Sequence, residues 1–308
     1  MIVVVCPGQG SQTPGFLNPW LDLPGVAESI DRLSQAAEVD LRTHGTVSDA
    51  DTIRDTRIAQ PLIVAASLIS LQALRSASPV VPTAFAGHSV GEFAAAAAAG
   101  VLSDEEALQL VGVRGRAMAE AAAQVETGMS AVVGGETDEV VRALEAAGLS
   151  PANYNGGGQI VAAGPIAALA ALKDAPPAGA RVIPLQVAGA FHTAFMASAV
   201  ETVRAAAAGL SPSDPTATLW TNRDGSVVAS GSNYVDLLIG QIALPVRWDL
   251  CMADFAAKGV TGVVELAPAG ALVGLAKRGL PGIPTVAVKS PDDLHAAVDL
   301  LASAEGTA

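Results

Sequence analysis

Residues 86–93 read AGHSVGEF, and they connect a short apolar run to a long alanine-rich stretch. The apolar run at 83–86 predicts a buried strand, and the stretch after Ser89 predicts a helix. The pattern G-x-S-x-G between them matches the nucleophile elbow, in which the glycines let strand and helix approach closely. The sequence therefore predicts that Ser89 stands at a sharp turn, backed by a helix N-terminus that favours developing negative charge. The alternative is an ordinary turn serine.

The alternation of strand and helix patterns continues on both sides of this stretch. Residues 2–6 form an apolar run that Pro-Gly ends, which predicts another buried strand, and apolar runs at 262–266 and 285–288 predict two more. From Met129 to Val187 the order changes to strand-helix-strand-strand-helix-strand, which is typical of a split β-α-β unit. We therefore predict an α/β fold with a mostly parallel sheet, interrupted by an inserted α+β subdomain.

The amino-acid composition limits the classes of partner that the chain is expected to bind. The 308 residues are 51% apolar and 15% charged, which indicates a globular chain, and the formal net charge is −13. An acidic chain without a basic run is a poor nucleic-acid binder. The N-terminus lacks the basic segment of a signal peptide, and the longest apolar run, 93–102, is too short to span a bilayer. We expect a cytoplasmic monomer without membrane or nucleic-acid partners.

A serine hydroxyl needs a base to become a nucleophile, and the chain has four histidines. His192, in GAFHT just before a predicted helix, is the best candidate, although on position alone a satisfied core histidine is equally plausible. His88 adjoins Ser89, but its side chain should point away at such a bend, so we expect a supporting, packing role. His44 and His295 are expected in a polar loop and on a surface helix.

An oxyanion hole needs fixed donors. The backbone N–H of Val90 is one candidate, and the loop PGQGSQ at 7–12 is a fair source of another, with a plain glycine turn as the alternative. Thr13 stands where a dinucleotide fingerprint requires its third glycine. The chain has no phosphate-loop, HExxH or CxxC motif, and Cys6 and Cys251 form no metal or disulfide pattern. We therefore expect neither a metal nor a cofactor.

Several segments together resemble the malonyl-CoA:acyl carrier protein transacylases of fatty-acid synthesis, over nearly the full chain and in the family's order. They are PGQGSQ (7–12), GHSVGE (87–92), RGRAM (114–118), TGMSAVVGG (127–135), NYNGGGQIVAAG (153–164), GAFHT (189–193) and PVRW (245–248). The resemblance implies a hydrolase-like core of residues 1–126 and 191–308. It also implies a ferredoxin-like insert at 127–190, with the active site in the gorge between them.

The resemblance also implies roles for individual residues. Ser89 would carry the acyl group, His192 would be its base, and the backbone N–H groups of Gln9 and Val90 would form the oxyanion hole. Arg114 would hold the malonyl carboxylate, since its fork matches a carboxylate bidentately. Helix periodicity alone instead favours a surface arginine at this position.

Two further residues are expected around this set. In the family a main-chain carbonyl near a glutamine, here Gln241, holds the second nitrogen of the histidine in place of a carboxylate. The ring of Phe191 would crowd an additional methyl on the α-carbon, which favours malonyl over methylmalonyl units.

The implied partners are malonyl-CoA and the phosphopantetheine arm of an acyl carrier protein. Because carrier proteins are acidic, a basic rim is expected, with Lys277, Arg278 and Lys289 as candidates and ordinary solvated charge as the alternative. Three other functions remain: an acyltransferase of a polyketide or malonate decarboxylase pathway, a GxSxG serine hydrolase that uses Asp224-Gly225, and a non-catalytic docking subunit for a carrier protein.

Overall fold

The computed structural model describes residues 1–303 and contains two five-stranded sheets. The strands of this part of the chain are β1 (Ile2–Cys6), β2 (Ala84–Gly87), β3 (Thr127–Gly134), β4 (Ser150–Gly156), β5 (Gln159–Pro165), β6 (Ala180–Pro184), β7 (Thr218–Leu219), β8 (Val246–Arg247), β9 (Gly262–Glu265) and β10 (Thr285–Ala287).

Helices separate most of these strands. They are α1 (Val26–Ala37), α2 (Leu41–Thr46), α3 (Thr56–Ala77), α4 (Gly91–Ala98), α5 (Asp104–Ala122), α6 (Thr137–Ala146), α7 (Ile166–Asp174), α8 (Ala197–Ala207), α9 (Gly231–Gly240), α10 (Trp248–Ala257), α11 (Ala271–Gly279) and α12 (Leu294–Ser303). Helix α5 begins at a reciprocal capping box that Ser103 and Glu106 form.

The first sheet is parallel and has the strand order β10-β9-β1-β2-β7. All five residues of β1 are buried, as expected for a strand that is covered on both faces. Because its strands run in the same direction, the loops that follow β1, β2, β9 and β10 leave the sheet at one edge. Ser89 lies in the loop after β2, so this edge is where a site is expected.

The second sheet has the order β6-β3-β5-β4-β8, and its first four strands are antiparallel to their neighbours. With α6 and α7 these four strands have the order and connections of a ferredoxin-like unit. The fifth strand, β8, comes from later in the chain and pairs with β4 in parallel. The predicted fold class, a hydrolase-like parallel core with a ferredoxin-like subdomain, is confirmed.

By length and composition alone helix α3 could cross a membrane, although the longest apolar run lies elsewhere, at 93–102. Helix α3 has 22 residues and a mean hydropathy of 1.4 over its most apolar window, of which 78% is buried inside the protein. Polar residues such as Gln60 and Ser67 interrupt its apolar runs, so a search for continuous runs missed it. Both are buried, as are most residues of α3.

Candidate active site

The turn around Ser89 has the geometry that the glycine pattern predicts. Ser89 is a non-glycine residue with a φ of +53°, a left-handed conformation that folded structures retain mainly at functional turns. A Cβ on Gly87 would lie 2.1 Å from the carbonyl carbon of Gly91, and one on Gly91 would lie 2.1 Å from the carbonyl oxygen of Cys6. Both positions therefore require glycine, because strand β2, helix α4 and the end of β1 touch there.

Ser89 and His192 are paired. The hydroxyl oxygen of Ser89 lies 2.7 Å from Nε2 of His192, and Nδ1 of His192 lies 2.6 Å from the main-chain oxygen of Gln241. A carbonyl can only accept, so Nδ1 carries the hydrogen and Nε2 is free to take the Ser89 proton. His192 also has a left-handed backbone, with a φ of +61°. The chain thus holds both members of the dyad in unusual backbone conformations.

The environment of His192 keeps its ring neutral. Burial, with a further contribution from the positive charge of Arg114, lowers the pKa of His192 to about 3. The imidazole is therefore unprotonated at neutral pH, which is the state that a general base requires. A bound anion that neutralised Arg114 would remove part of this lowering and make His192 a stronger base.

Arg114 is buried, although helix periodicity favoured a surface position. Only 1% of it is exposed, and its two terminal nitrogens donate to amide oxygens, NH1 to Gln60 and NH2 to Gln241. Its Nε has no hydrogen-bond partner among residues 1–303, and no carboxylate in that range forms an ion pair with it. Burial lowers the pKa of Arg114 to about 9, so the guanidinium stays charged at neutral pH.

Gln241 links these groups. Its side-chain NH2 donates to the main-chain oxygen of Ser89, its side-chain oxygen accepts from Arg114, and its main-chain oxygen accepts from His192. One side-chain amide therefore separates the guanidinium of Arg114 from the backbone of Ser89. The structure brings together Ser89, His192, Arg114 and Gln241 from four distant parts of the chain.

The candidate oxyanion donors lie beside the turn. Val90 is the N-cap residue of α4, at the positive end of the helix dipole. Gly8, next to Gln9, passes so close to His88 that a Cβ there would lie 3.0 Å from its Nδ1 and from its main-chain oxygen. The side chain of Gln9 donates to the main-chain oxygen of Arg54, which ties this loop to the segment before α3.

His88 and Phe191 flank the dyad. Nε2 of His88 lies 2.9 Å from Oδ1 of Asn155 in β4, and its ring meets Trp248 edge to face at 5.7 Å. His88 therefore connects the loop after β2 in the first sheet to β4 in the second. Phe191 directly precedes His192 and is buried in the main hydrophobic core, with 7% exposed.

Three polar residues of the site were not predicted. Gln60 binds Arg114, Asn222 accepts from the backbone N–H of Ser89 at 2.7 Å, and Glu92 accepts from Gln241. Gln60 lies on a mostly apolar helix, and Asn222 follows β7 in a polar segment, so neither has a sequence signal of its own. Glu92 did have a sequence signal, since it belongs to the GHSVGE segment that carries the family resemblance.

Within residues 1–303, neither Asp224 nor the three candidate rim cations form a hydrogen bond with the side chains of Ser89 and His192. Asp224 accepts from the backbone N–H of Ser226, and His192, rather than Asp224, contacts the hydroxyl of Ser89. Lys277, Arg278 and Lys289 are exposed. The backbone of Gly157, at the β4–β5 turn, packs against Arg278, and Gly270 lies beside Lys289.

Comparison with known proteins identifies the family of this chain. The sequence model of the acyl transferase domain family matches residues 3–290. The chain belongs to this family. It is 52% identical over 302 residues to the malonyl CoA-acyl carrier protein transacylase of Mycobacterium tuberculosis, covering 97% of this chain and 100% of the relative. It is 32% identical over 303 residues to the protein of the same name from Escherichia coli K12, covering 96% and 98% of the two chains.

Solved structures of family members have the same fold. The crystal structure of MCAT from Mycobacterium tuberculosis superposes with a TM-score of 0.93 at 52% identity, covering 97% of this chain and 99% of the other. A second structure is PlMCAT:AntF, a type II PKS acyl-carrier protein in complex with its malonyl-transacylase. It has a TM-score of 0.89 at 29% identity, with 97% and 99% coverage. The acyltransferase described here shares this architecture over nearly its full length.

Proposed function

We propose that this acyltransferase moves a malonyl group from malonyl-CoA to the pantetheine thiol of an acyl carrier protein, through a malonyl ester on Ser89, and so supplies fatty-acid synthesis. The names of its relatives support the reaction and the partners. The observation that carries the assignment is the buried Arg114, which lies one amide away from a serine paired with a histidine. An esterase has no need of such a cation, whereas a dicarboxylic acyl group does.

The first half-reaction acylates Ser89. The malonyl carboxylate pairs with Arg114, and the hydroxyl oxygen of Ser89 attacks the thioester carbonyl while Nε2 of His192 takes its proton. The backbone N–H groups of Gln9 and Val90 hold the resulting oxyanion. The C–S bond then breaks, and CoA leaves as a thiol with the proton that His192 returns.

The second half-reaction reverses these steps with a different thiol. The pantetheine thiol gives its proton to His192 and attacks the malonyl ester, and Ser89 leaves with that proton. Because Arg114 lowers the pKa of His192, pairing with the malonyl carboxylate strengthens the base when the dicarboxylic substrate is in place. The side chains of Gln241 and His88 support this set, and Phe191 lines the acyl pocket.

Residues 1–126 and 191–308 form the catalytic core and 127–190 the small subdomain, and the hydrogen bond between His88 and Asn155 supports a site between them. The protein acts as a cytoplasmic monomer, without metal, cofactor, membrane or nucleic acid. Lys277, Arg278 and Lys289 form the basic rim that receives the acidic carrier. Size-exclusion chromatography with light scattering tests the monomer.

Ser89→Ala tests the acyl-enzyme directly. Removing the hydroxyl abolishes the nucleophile, so we expect that malonyl-CoA adds one malonyl mass to the wild-type protein and none to the variant. Intact-protein mass spectrometry after mixing with a panel of acyl-CoAs measures this. Adding a carrier protein should discharge the adduct by transfer, and rapid discharge into water without any thiol would favour the hydrolase instead.

A further inference from the structure

Glu92 is a buried carboxylate that the mechanism above does not use. It lies in the first turn of α4, and only 1% of it is exposed. Oε1 accepts from the backbone N–H of Asn222 at 2.8 Å and from the hydroxyl of Tyr234 at 3.4 Å, and Oε2 accepts from the side-chain NH2 of Gln241. Its nearest partners are therefore neutral donors. A buried carboxylate costs free energy that such bonds offset only when all of them are made.

The contact with Gln241 determines which way its amide faces. The NH2 group of Gln241 donates to two acceptors, Glu92 and the main-chain oxygen of Ser89, and its oxygen accepts from Arg114. Turning the amide by 180° would bring its oxygen against both acceptors and its NH2 against the guanidinium, which only donates. In its ionised form the Glu92 carboxylate only accepts, so in that form it excludes the reversed amide, as the main-chain oxygen of Ser89 and the guanidinium of Arg114 also do.

We propose that Glu92 is a positioning residue for acyl transfer, whose carboxylate fixes the Gln241 amide in the orientation that anchors Arg114 for the substrate carboxylate. The carboxylate of Glu92 forms no hydrogen bond with Ser89 or His192 and acts through Gln241, although the backbone N–H of Glu92 donates to the main-chain oxygen of Ser89 at 3.0 Å. The inference rests on the proposed function, since it takes the role of Arg114 from there. It assigns a role to a buried carboxylate that contacts the amide of Gln241.

The nearly isosteric change Glu92→Gln tests this arrangement. The backbone N–H of Asn222 requires an acceptor at the Oε1 position, so the new amide turns its NH2 toward the NH2 of Gln241. Either these two donors face each other, or Gln241 reverses and presents its NH2 to Arg114. Both outcomes weaken the hydrogen bond between Gln241 and the guanidinium of Arg114. The main-chain oxygen of Gln241 still accepts from His192.

The measurement is the ratio of Ser89 acylation rates with malonyl-CoA and acetyl-CoA. We expect Glu92→Gln to lower this ratio by about tenfold and to raise the KM for malonyl-CoA, because a misplaced cation weakens only the dicarboxylic substrate. Glu92→Asp, which withdraws the carboxylate from Gln241 and keeps its charge, should lower the ratio as well and serves if Glu92→Gln fails to fold. Tyr234→Phe is the matched control, since it removes another partner of Glu92 and leaves Gln241 in place.

A double-mutant cycle separates positioning from general support. In a Gln241→Leu background, Glu92→Gln should change the malonyl-to-acetyl ratio no further, because the link to Arg114 is already gone. An unchanged ratio in the single variant, or an equal additional loss in the Gln241→Leu background, overturns the inference. If wild-type protein takes up no malonyl group, the proposed function itself fails; if it does and the ratio persists in Glu92→Gln, only the role of Glu92 fails.

Discussion

Arg114 and the three rim cations, Lys277, Arg278 and Lys289, are all proposed to meet anions, but their surroundings are opposite. Arg114 is 1% exposed and held by two amide oxygens, whereas the rim cations are exposed side chains on and after α11. A buried cation interacts strongly with a single anion at a fixed position, while exposed cations act weakly and are screened by salt. In a chain with a net charge of −13, a positive charge becomes specific for one anion because it is buried, and not because many cations lie together.

The largest expected effect comes from removing the buried cation. Arg114→Ala should lower acylation by malonyl-CoA by about 100-fold, corresponding to ~3 kcal/mol, because the substrate carboxylate loses a desolvated charged partner. Acylation by acetyl-CoA should change much less. Rapid-quench mass spectrometry with both substrates measures the two rates, and equal losses would contradict the carboxylate role.

Arg116→Ala is the matched control for this variant. Arg116 lies two residues further along α5, is partly exposed and pairs with Glu38 at the surface. Its removal should leave both acylation rates nearly unchanged, since exposed ion pairs contribute little.

A smaller effect concerns the pH dependence of the unfolding free energy, to which the buried carboxyl group of Glu92 contributes. Burial raises the pKa of Glu92 from 4.5 to about 7, so the folded protein binds more protons than the unfolded chain between these values. The unfolding free energy should therefore contain a contribution that falls as pH rises from 4.5 to 7, and Glu92→Gln removes it. Between pH 5 and pH 8 the wild-type protein should lose about 1–3 kcal/mol relative to the variant. Urea unfolding at both pH values measures the difference, and parallel pH profiles would contradict it.

The smallest expected effect belongs to the exposed rim. Lys277→Glu and Lys289→Glu should each raise the KM for the carrier protein by about threefold, or less than 1 kcal/mol, without changing acylation by malonyl-CoA. The effect should fade in 0.5 M salt, because screening acts on exposed charges. Lys173→Glu, on α7 of the second sheet, serves as the control. A rise in KM that persists in 0.5 M salt would contradict a screened surface contact and would indicate a desolvated ion pair, as proposed for Arg114.

Much of the fold could be predicted because its signals are local. The apolar runs of β1 and β2, the capping signal of Ser103 and Glu106 and the glycines around Ser89 each act within a few residues. The order of elements in the second sheet followed from the same local patterns. The two-residue strand β8 had no such signal, because it exists only through its pairing with β4.

The site could be predicted only in part, because its members meet through the tertiary fold. Periodicity favoured a surface position for Arg114, since an isolated helix gives no sign that Gln60 and Gln241 receive its guanidinium. The family resemblance supplied that residue and the carbonyl of Gln241. Asn222 lies 133 residues from Ser89, whose backbone it binds, and no pattern of spacing connects two such positions.

Strand β8 limits how the molecule can be divided. Residues 246 and 247 complete the edge of β4, although they follow the ferredoxin-like segment by more than fifty positions in the printed sequence. A chimera that exchanged only residues 127–190 for those of a relative would leave the host's own β8 to pair with a foreign β4. Engineers who wish to transplant this subdomain should therefore carry the 246–247 segment with it, as a second, discontinuous graft.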